Sequence, residues 1–220
     1  SGRNRMKTLI EHFDLLYPKY SSAAFRNCCV VKEKENAKEN AFLELKINGI
    51  DGYEIPNMVV KDVTSFYAKA QSRNPLNHDC DGIFFSEYSG KKFLFFCELK
   101  SSFSSQEIQK AKEQVIGSYL KMHSLLSLLQ GYRKDEIEVR GLIVSFKPET
   151  ERLLAIEKKS ENDRSCRFCT LLYNRQKYVM TKMDCERYYK PLCMPDFTIY
   201  YVGVPDHQQN YMINFDSLLI

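Results

Sequence analysis

Hydrophobic and polar positions change period along the chain, and each change marks an expected element. Met6, Leu9, Ile10, Phe13 and Leu16 recur at helical spacing, and Pro18 ends that run. Residues 30–41, VVKEKENAKENA, are mostly charged and predict an exposed loop or helix. AFLELKING (41–49) closes on the turn pair Asn48-Gly49. VVKDVTSFYAKAQSRNP (59–75) predicts a helix that stops before Pro75, because a residue preceding proline is pushed out of the helical region. DGIFFSEY (81–88) and KFLFFCELK (92–100) read as two strands. Between them, Ser89-Gly90 supplies a turn with Gly90 where a hairpin needs positive φ. Ser104 precedes Glu107 by three, a capping box. The helix it opens runs to about Gln130 on the apolar stripe Ile108, Ala111, Val115, Tyr119, Met122, Leu126 and Leu129, and Gly131 stops it. IEVRGLIVSF (137–146) is a further strand, closed by Pro148.

The central order is therefore strand, hairpin, strand, helix, strand. A strand reached through a crossover helix is expected to join the same sheet in parallel. In the last third, LLAIEKK (153–159) predicts a helix. RFCTLLY (167–173) and KYVMTKM (177–183) flank Asn174-Arg175-Gln176 and predict a hairpin. FTIYYVGV (197–204) and YMINF (211–215) predict late strands. The expected class is α/β, with a mixed central sheet flanked by helices and additional C-terminal strands. Residues 1–220 are read as one domain, with a core at 78–146 and a basic elaboration at 151–220.

Composition changes this picture in two places. The 220 residues are 44% hydrophobic and 27% charged, enough for a core that needs no disulfides. Residues 151–190 hold ten Lys or Arg against six Asp or Glu, so this stretch carries the whole net charge of +4. It offers a face for a polyanion, with Lys158, Lys159, Arg164, Arg167, Arg175 and Lys177 as the candidate contacts; a solvated mixed surface is the competing reading. No apolar run approaches the roughly 18 residues of a membrane span, and no apolar leader follows the basic N-terminus. A cytoplasmic compartment with reduced thiols is expected.

The chemistry concentrates in FFCELKSS (95–102). Phe93, Phe95, Cys97 and Leu99 share one strand face, a clean core stripe. Phe96, Glu98 and Lys100 share the other, which turns polar where the crossover helix begins. Glu98 and Lys100 are therefore expected to project at the rim of the sheet, where ligands of α/β sheets bind. Counting outward from the Ser89-Gly90 turn brings Asp81 beside residues 98 and 99. Two carboxylates and an ammonium would meet there. Mg²⁺ is held by one or two carboxylates together with substrate phosphate and water. A lysine beside it orients water or steadies charge in the transition state. A solvated Glu98–Lys100 ion pair in an otherwise ordinary α/β domain is the plain alternative; such a pair contributes about 0–1 kcal/mol.

Asp81, the hairpin, Glu98-Leu99-Lys100 at a strand end and the following helix together resemble the PD-(D/E)XK nuclease superfamily. The likeness covers residues 78–146. The position before Asp81 is Cys80, preceded by His78 and Asp79, with no proline. The resemblance implies a restriction-endonuclease-like fold and a divalent-metal-dependent nuclease. Asp81 and Glu98 would be the metal ligands for Mg²⁺ or Mn²⁺, and Lys100 the catalytic lysine. Gln114 would be the helix-borne glutamine of the exonuclease-like and resolvase-like branches. Asp79 is an alternative to Asp81, and Glu11 or Glu44 is the candidate for a further acid on the first core helix. Nucleic acid is the implied partner, DNA ahead of RNA, and a homodimer is compatible with the resemblance. A nuclease fold that binds nucleic acid or protein without cutting is the alternative.

Cys166, Cys169, Cys185 and Cys193 raise a structural zinc site. The first pair has C-x₂-C spacing and the second, with seven residues between, does not, so buried thiols are the favoured reading. His78 beside the candidate site is a contact for phosphate or water, or a plain loop histidine.

Overall fold

The computed structural model describes residues 2–33, 44–73, 75–180, 184, 198–205 and 208–219. In chain order its elements are helix α1 (Gly2–Leu16), strands β1 (Ala23–Phe25), β2 (Cys28–Lys32), β3 (Glu44–Asn48) and β4 (Gly52–Ile55), and helix α2 (Met58–Lys69). Then come β5 (Gly82–Tyr88), β6 (Lys91–Lys100), α3 (Ser105–Leu126), β7 (Ile137–Phe146), α4 (Thr150–Lys159), α5 (Arg164–Arg175), β8 (Lys177–Val179), β9 (Thr198–Val204) and β10 (Asn210–Asn214).

The β5–β6 hairpin turns on two residues, Ser89 and Gly90, both at positive φ. That backbone twist matches the twist of the flanking strands. The hairpin forms the middle of a mixed seven-stranded sheet in the order β1-β4-β5-β6-β7-β9-β8. β6, β7 and β9 run parallel, and the other neighbours in this sheet pair antiparallel. The parallel β6–α3–β7 unit is the one expected from the crossover helix.

Both faces of β6 are covered, which explains the nearly continuous apolar run FLFFC at 93–97. Ile83, Phe85, Leu94, Phe96 and Ile143 face the helices. Phe84, Phe93, Phe95, Cys97 and Leu99 face a second, three-stranded sheet, β10-β3-β2. Phe84 and Phe95, opposite each other across the hairpin, stack at 4.7 Å. Arg140 ties the small sheet's side to β7: its guanidinium lies between the rings of Phe93 and Tyr200 and bonds Glu138 and the Leu218 carbonyl. Three layers result: helices, large sheet, small sheet.

The small sheet corrects the expectation for 30–41. Residues 30–32 belong to strand β2, with Val31 buried; residues 34–43 lie outside the described set. The expected 167–183 hairpin is also corrected. Residues 164–175 form helix α5, and among the described residues of this stretch only 177–179 are extended. Asp163 caps that helix, its carboxylate accepting from the N–H of Ser165 at 2.7 Å and of Cys166 at 2.9 Å. Cys166, Cys169 and Leu172 then recur every three residues on the buried face. Against that face, the buried Lys112 of α3 places its ammonium 4.4 Å from the Phe168 ring and 5.0 Å from that of Tyr178. Among the described residues no helix is long and apolar enough to cross a membrane.

Candidate active site

The register of the hairpin builds the site. Gly82 pairs with Cys97, so the next step outward sets Asp81 beside Glu98. The Asp81 N–H donates to Cys97 O at 2.9 Å, and the Asp81 carboxylate accepts from the Leu99 N–H at 2.9 Å through Oδ2. The carboxylate is thereby held against the end of β6. Asn57, at the start of α2, donates to the Asp81 carbonyl at 3.0 Å and fixes the backbone behind it.

Lys100 is the hub of the other charges. Its Nζ is 2.9 Å from Glu98 Oε1, donates to Gln114 Oε1 at 2.7 Å and stands 3.7 Å from Glu107 Oε2. Burial decides against the alternative of a solvated pair at the strand end. Glu98 is 2% exposed and Lys100 8%, because α3 covers their face of the strand. In such surroundings charges interact far more strongly than on a surface, and each needs its partner. Ser104 caps α3 as expected, accepting from the Glu107 N–H at 3.2 Å. The Glu107 side chain reaches toward Lys100.

α3 also clamps the segment that carries Asp81. Gln114 Nε2 donates to Asp79 O at 3.0 Å, and Ser118 Oγ accepts from the Cys80 N–H at 2.8 Å. Lys121, 1% exposed, donates to the carbonyls of Leu76 and His78 and to Thr64 Oγ1. Gly117 lets the two backbones meet: a Cβ there would stand 2.1 Å from Pro75 O. Gln114 thus joins both halves of the site, with one end on Lys100 and the other on the 78–81 segment.

Sequence reasoning missed Glu107 as a neighbour of Lys100, and missed Gly117 and Lys121 as the clamp. A signal was present. Glu107, Gln114, Ser118 and Lys121 recur at seven-, four- and three-residue intervals, a polar stripe on one face of an otherwise apolar helix.

Two titratable groups border the site, the half-buried His78 and the buried Cys97. Burial pushes the His78 imidazole below its ordinary value; Glu113, 3.9 Å away, opposes this and Lys110 and Lys121 add to it. Burial pushes the Cys97 thiol well up, reinforced by the charges of Asp81 and, more weakly, Glu98. That thiol is inert as a nucleophile.

The other candidates fall elsewhere. Glu11 is exposed on α1, 3.7 Å from Lys7. Glu44 lies in the small sheet between Lys32 and Lys46, at 3.2 and 3.4 Å. Lys100 pairs with Glu98 and Glu107, not with Glu11 or Glu44. Lys158, Lys159, Arg164, Arg167, Arg175 and Lys177 are all exposed, on α4, α5 and β8. Arg167 is turned back on the protein, donating to the carbonyls of Ser160 at 3.1 Å and Glu161 at 2.6 Å. α5 adjoins the site: Cys169 Sγ is 4.0 Å from Ser105 O at the start of α3, and Tyr173 packs on Phe103. Cys166 and Cys169 are buried on α5, and burial raises the Cys169 thiol to about 12. Cys185 and Cys193 lie outside the described residues.

Asp81 and Glu98 offer hard oxygen donors. The Leu99 N–H bonds Asp81 Oδ2, and Lys100 pairs with Glu98 Oε1. A two-carboxylate set suits Mg²⁺ or Mn²⁺, which keep several waters, and does not suit zinc, which takes nitrogen and sulfur ligands in closed tetrahedra. Among the described residues no group of three or more His, Cys, Asp or Glu is placed to hold a metal. Comparison with protein-family models, with curated proteins and with solved structures finds no match.

Proposed function

We propose that the chain is a divalent-metal-dependent nuclease of the PD-(D/E)XK kind, hydrolysing phosphodiester bonds in nucleic acid, DNA ahead of RNA, on a restriction-endonuclease-like core. One observation carries the reading: at the carboxyl end of the central strand Lys100 Nζ contacts both Glu98 and Gln114, and the Asp81 carboxylate is bonded to the N–H of Leu99, the residue between Glu98 and Lys100. The two carboxylates would hold Mg²⁺ or Mn²⁺. The ion's contribution when bound is charge neutralisation at the scissile phosphate and a lowered pKa for water. Lys100 brings an ammonium whose direction Gln114 fixes, so it can orient the attacking water and meet the charge that builds on the phosphate. The Leu99 N–H sets the angle of the Asp81 carboxylate, and Asn57 keeps the strand entry in place. Lys158, Lys159, Arg164, Arg175 and Lys177, exposed on α4, α5 and β8, supply cations for the phosphate backbone.

The test pairs cleavage with metal binding. Labelled single- and double-stranded DNA and RNA are incubated with the protein in Mg²⁺ or Mn²⁺, and Mn²⁺ binding is followed by calorimetry. Cleavage should fall by about 10²-fold or more in Lys100→Met and in Asp81→Asn, and Asp81→Asn should also weaken Mn²⁺ binding. Cleavage that survives both substitutions would sink the assignment.

The burial of Glu98 and Lys100 favours a second reading, a non-catalytic module on the same framework. Such a module binds nucleic acid with a steep salt dependence, or binds a protein, and cuts nothing in either metal.

A further inference from the structure

The Lys100 ammonium has three N–H donors and faces oxygens on three side chains. Gln114 Oε1 stands at 2.7 Å, Glu98 Oε1 at 2.9 Å and Glu107 Oε2 at 3.7 Å. The first two are hydrogen-bond distances and the third is too long for one. The partners also differ in what holds them. Gln114 is tied at its other end to the Asp79 carbonyl, 3.0 Å from Nε2. Glu98 is buried. The Glu107 side chain is 43% exposed, so its carboxylate has solvent beside it and room to move.

Helix capping does not account for where that carboxylate lies. Glu107 is the third residue of α3, where a glutamate of a capping box turns back to the N–H of the capping residue. Ser104 Oγ accepts the Glu107 N–H at 3.2 Å, yet the Glu107 carboxylate points to Lys100. Glu107 and Gln114, two helical turns apart, thus reach the ammonium from one face of α3. Where Asp81 and Glu98 hold a divalent cation, Glu98 is needed twice, by that cation and by Lys100. A buried ammonium that loses its carboxylate is strongly disfavoured, and more so beside a second positive charge. Gln114 is neutral and does not replace the lost charge. Glu107 is the other carboxylate within 4 Å of Lys100 among the described residues.

We propose that Glu107 is a positioning residue that takes over Lys100 when Glu98 turns to a divalent cation, so that the ammonium stays paired and aimed at the reacting phosphate. This exchange rests on the metal-dependent reading of Asp81 and Glu98. With Glu98 on Lys100, Glu107 is an exposed partner at 3.7 Å and contributes little. With Glu98 engaged elsewhere, Glu107 carries the pair alone. Its substitution therefore matters in the presence of the metal and hardly at all in its absence.

Mn²⁺ calorimetry and urea unfolding of the full chain test it, on the parent, Glu107→Gln and Glu107→Asp. In EDTA the three urea midpoints should differ little. Glu107→Gln should weaken Mn²⁺ binding about tenfold, and Glu107→Asp, which keeps the charge, should recover part of that loss. In Lys100→Met the ammonium is gone, so adding Glu107→Gln should change Mn²⁺ affinity by less than about twofold. Where the parent cuts, Glu107→Gln should lower kcat about tenfold and leave KM within about twofold. A loss of Mn²⁺ affinity just as large in the Lys100→Met background makes Glu107 a ligand or a remote charge and overturns the exchange. So does a fall in the EDTA midpoint as large as the fall in Mn²⁺, which marks a plain structural pair and needs no folded Lys100→Met protein. A parent that binds Mn²⁺ and cuts, with Glu107→Gln equal to it in both, overturns the exchange alone. Mn²⁺ binding weakened by Glu107→Gln in a chain that cuts nothing leaves the exchange standing and removes only the nuclease reading. A parent that binds no Mn²⁺ removes both.

Discussion

Gly117→Ala sets two effects against each other in the middle of α3. Helix propensity favours alanine by about 1 kcal/mol in an exposed helix interior. The packing opposes it. The added Cβ would stand 2.1 Å from Pro75 O and 2.8 Å from His78 O, where ordinary contact begins at 3.4 Å. The nearer carbonyl must retreat by about 1.3 Å, in an interior with little free volume. Both obstacles are backbone atoms, so no side chain can swing aside. The 75–81 segment can move only by stretching the bonds that Gln114, Ser118 and Lys121 make to it. Overpacking of this kind costs about 1–3 kcal/mol, and the propensity gain offsets about 1 of it. A net loss of about 1–2 kcal/mol is expected in urea unfolding. Ser124→Ala, on the exposed side of the same helix, serves as control and should be neutral or slightly stabilising. The same displacement moves Asp81, so under the proposed nuclease function cleavage should fall by about 10²-fold even where the variant is fully folded. A Gly117→Ala protein as stable as the parent would refute the clamp.

Glu98→Leu or Lys100→Met alone removes one partner of a buried pair and should destabilise by about 3–5 kcal/mol, whereas the double variant Glu98→Leu/Lys100→Met should recover most of that in a double-mutant cycle. Additive losses would show that the pair is not coupled. Asp163→Ala removes the cap of α5 and should cost about 1 kcal/mol in chemical denaturation; no change would return residues 164–175 to the extended reading. Burial holds the imidazoles of His78 and His123 below the ordinary 6.5. As pH falls the unfolded chain therefore binds these protons first, so both groups subtract stability below pH 6.5 and leave it unaffected well above. Unfolding midpoints should drop more in the parent than in His78→Gln/His123→Gln between about pH 7.5 and about pH 5.5, and equal drops would contradict the burial of the two rings.

The sequence by itself determined what local chemistry dictates. The Ser89-Gly90 turn sets the hairpin, Ser104 starts α3, and alternation along 93–100 divides Phe95, Cys97 and Leu99 from Phe96, Glu98 and Lys100. Because register is counted from the turn, the approach of Asp81 to Glu98 was legible too. Tertiary structure decided the rest. Burial depends on what lies over a strand, and only the packing of α3 makes Glu98 and Lys100 internal. The 164–175 segment carries alternation and threefold spacing together, and contact with Lys112 and α3 selects the helix. The small sheet joins β10 to β3 across more than 160 positions of chain, a pairing that no local pattern encodes. Gly117 looks like a helix defect in sequence; its role exists only because another backbone passes within contact of it.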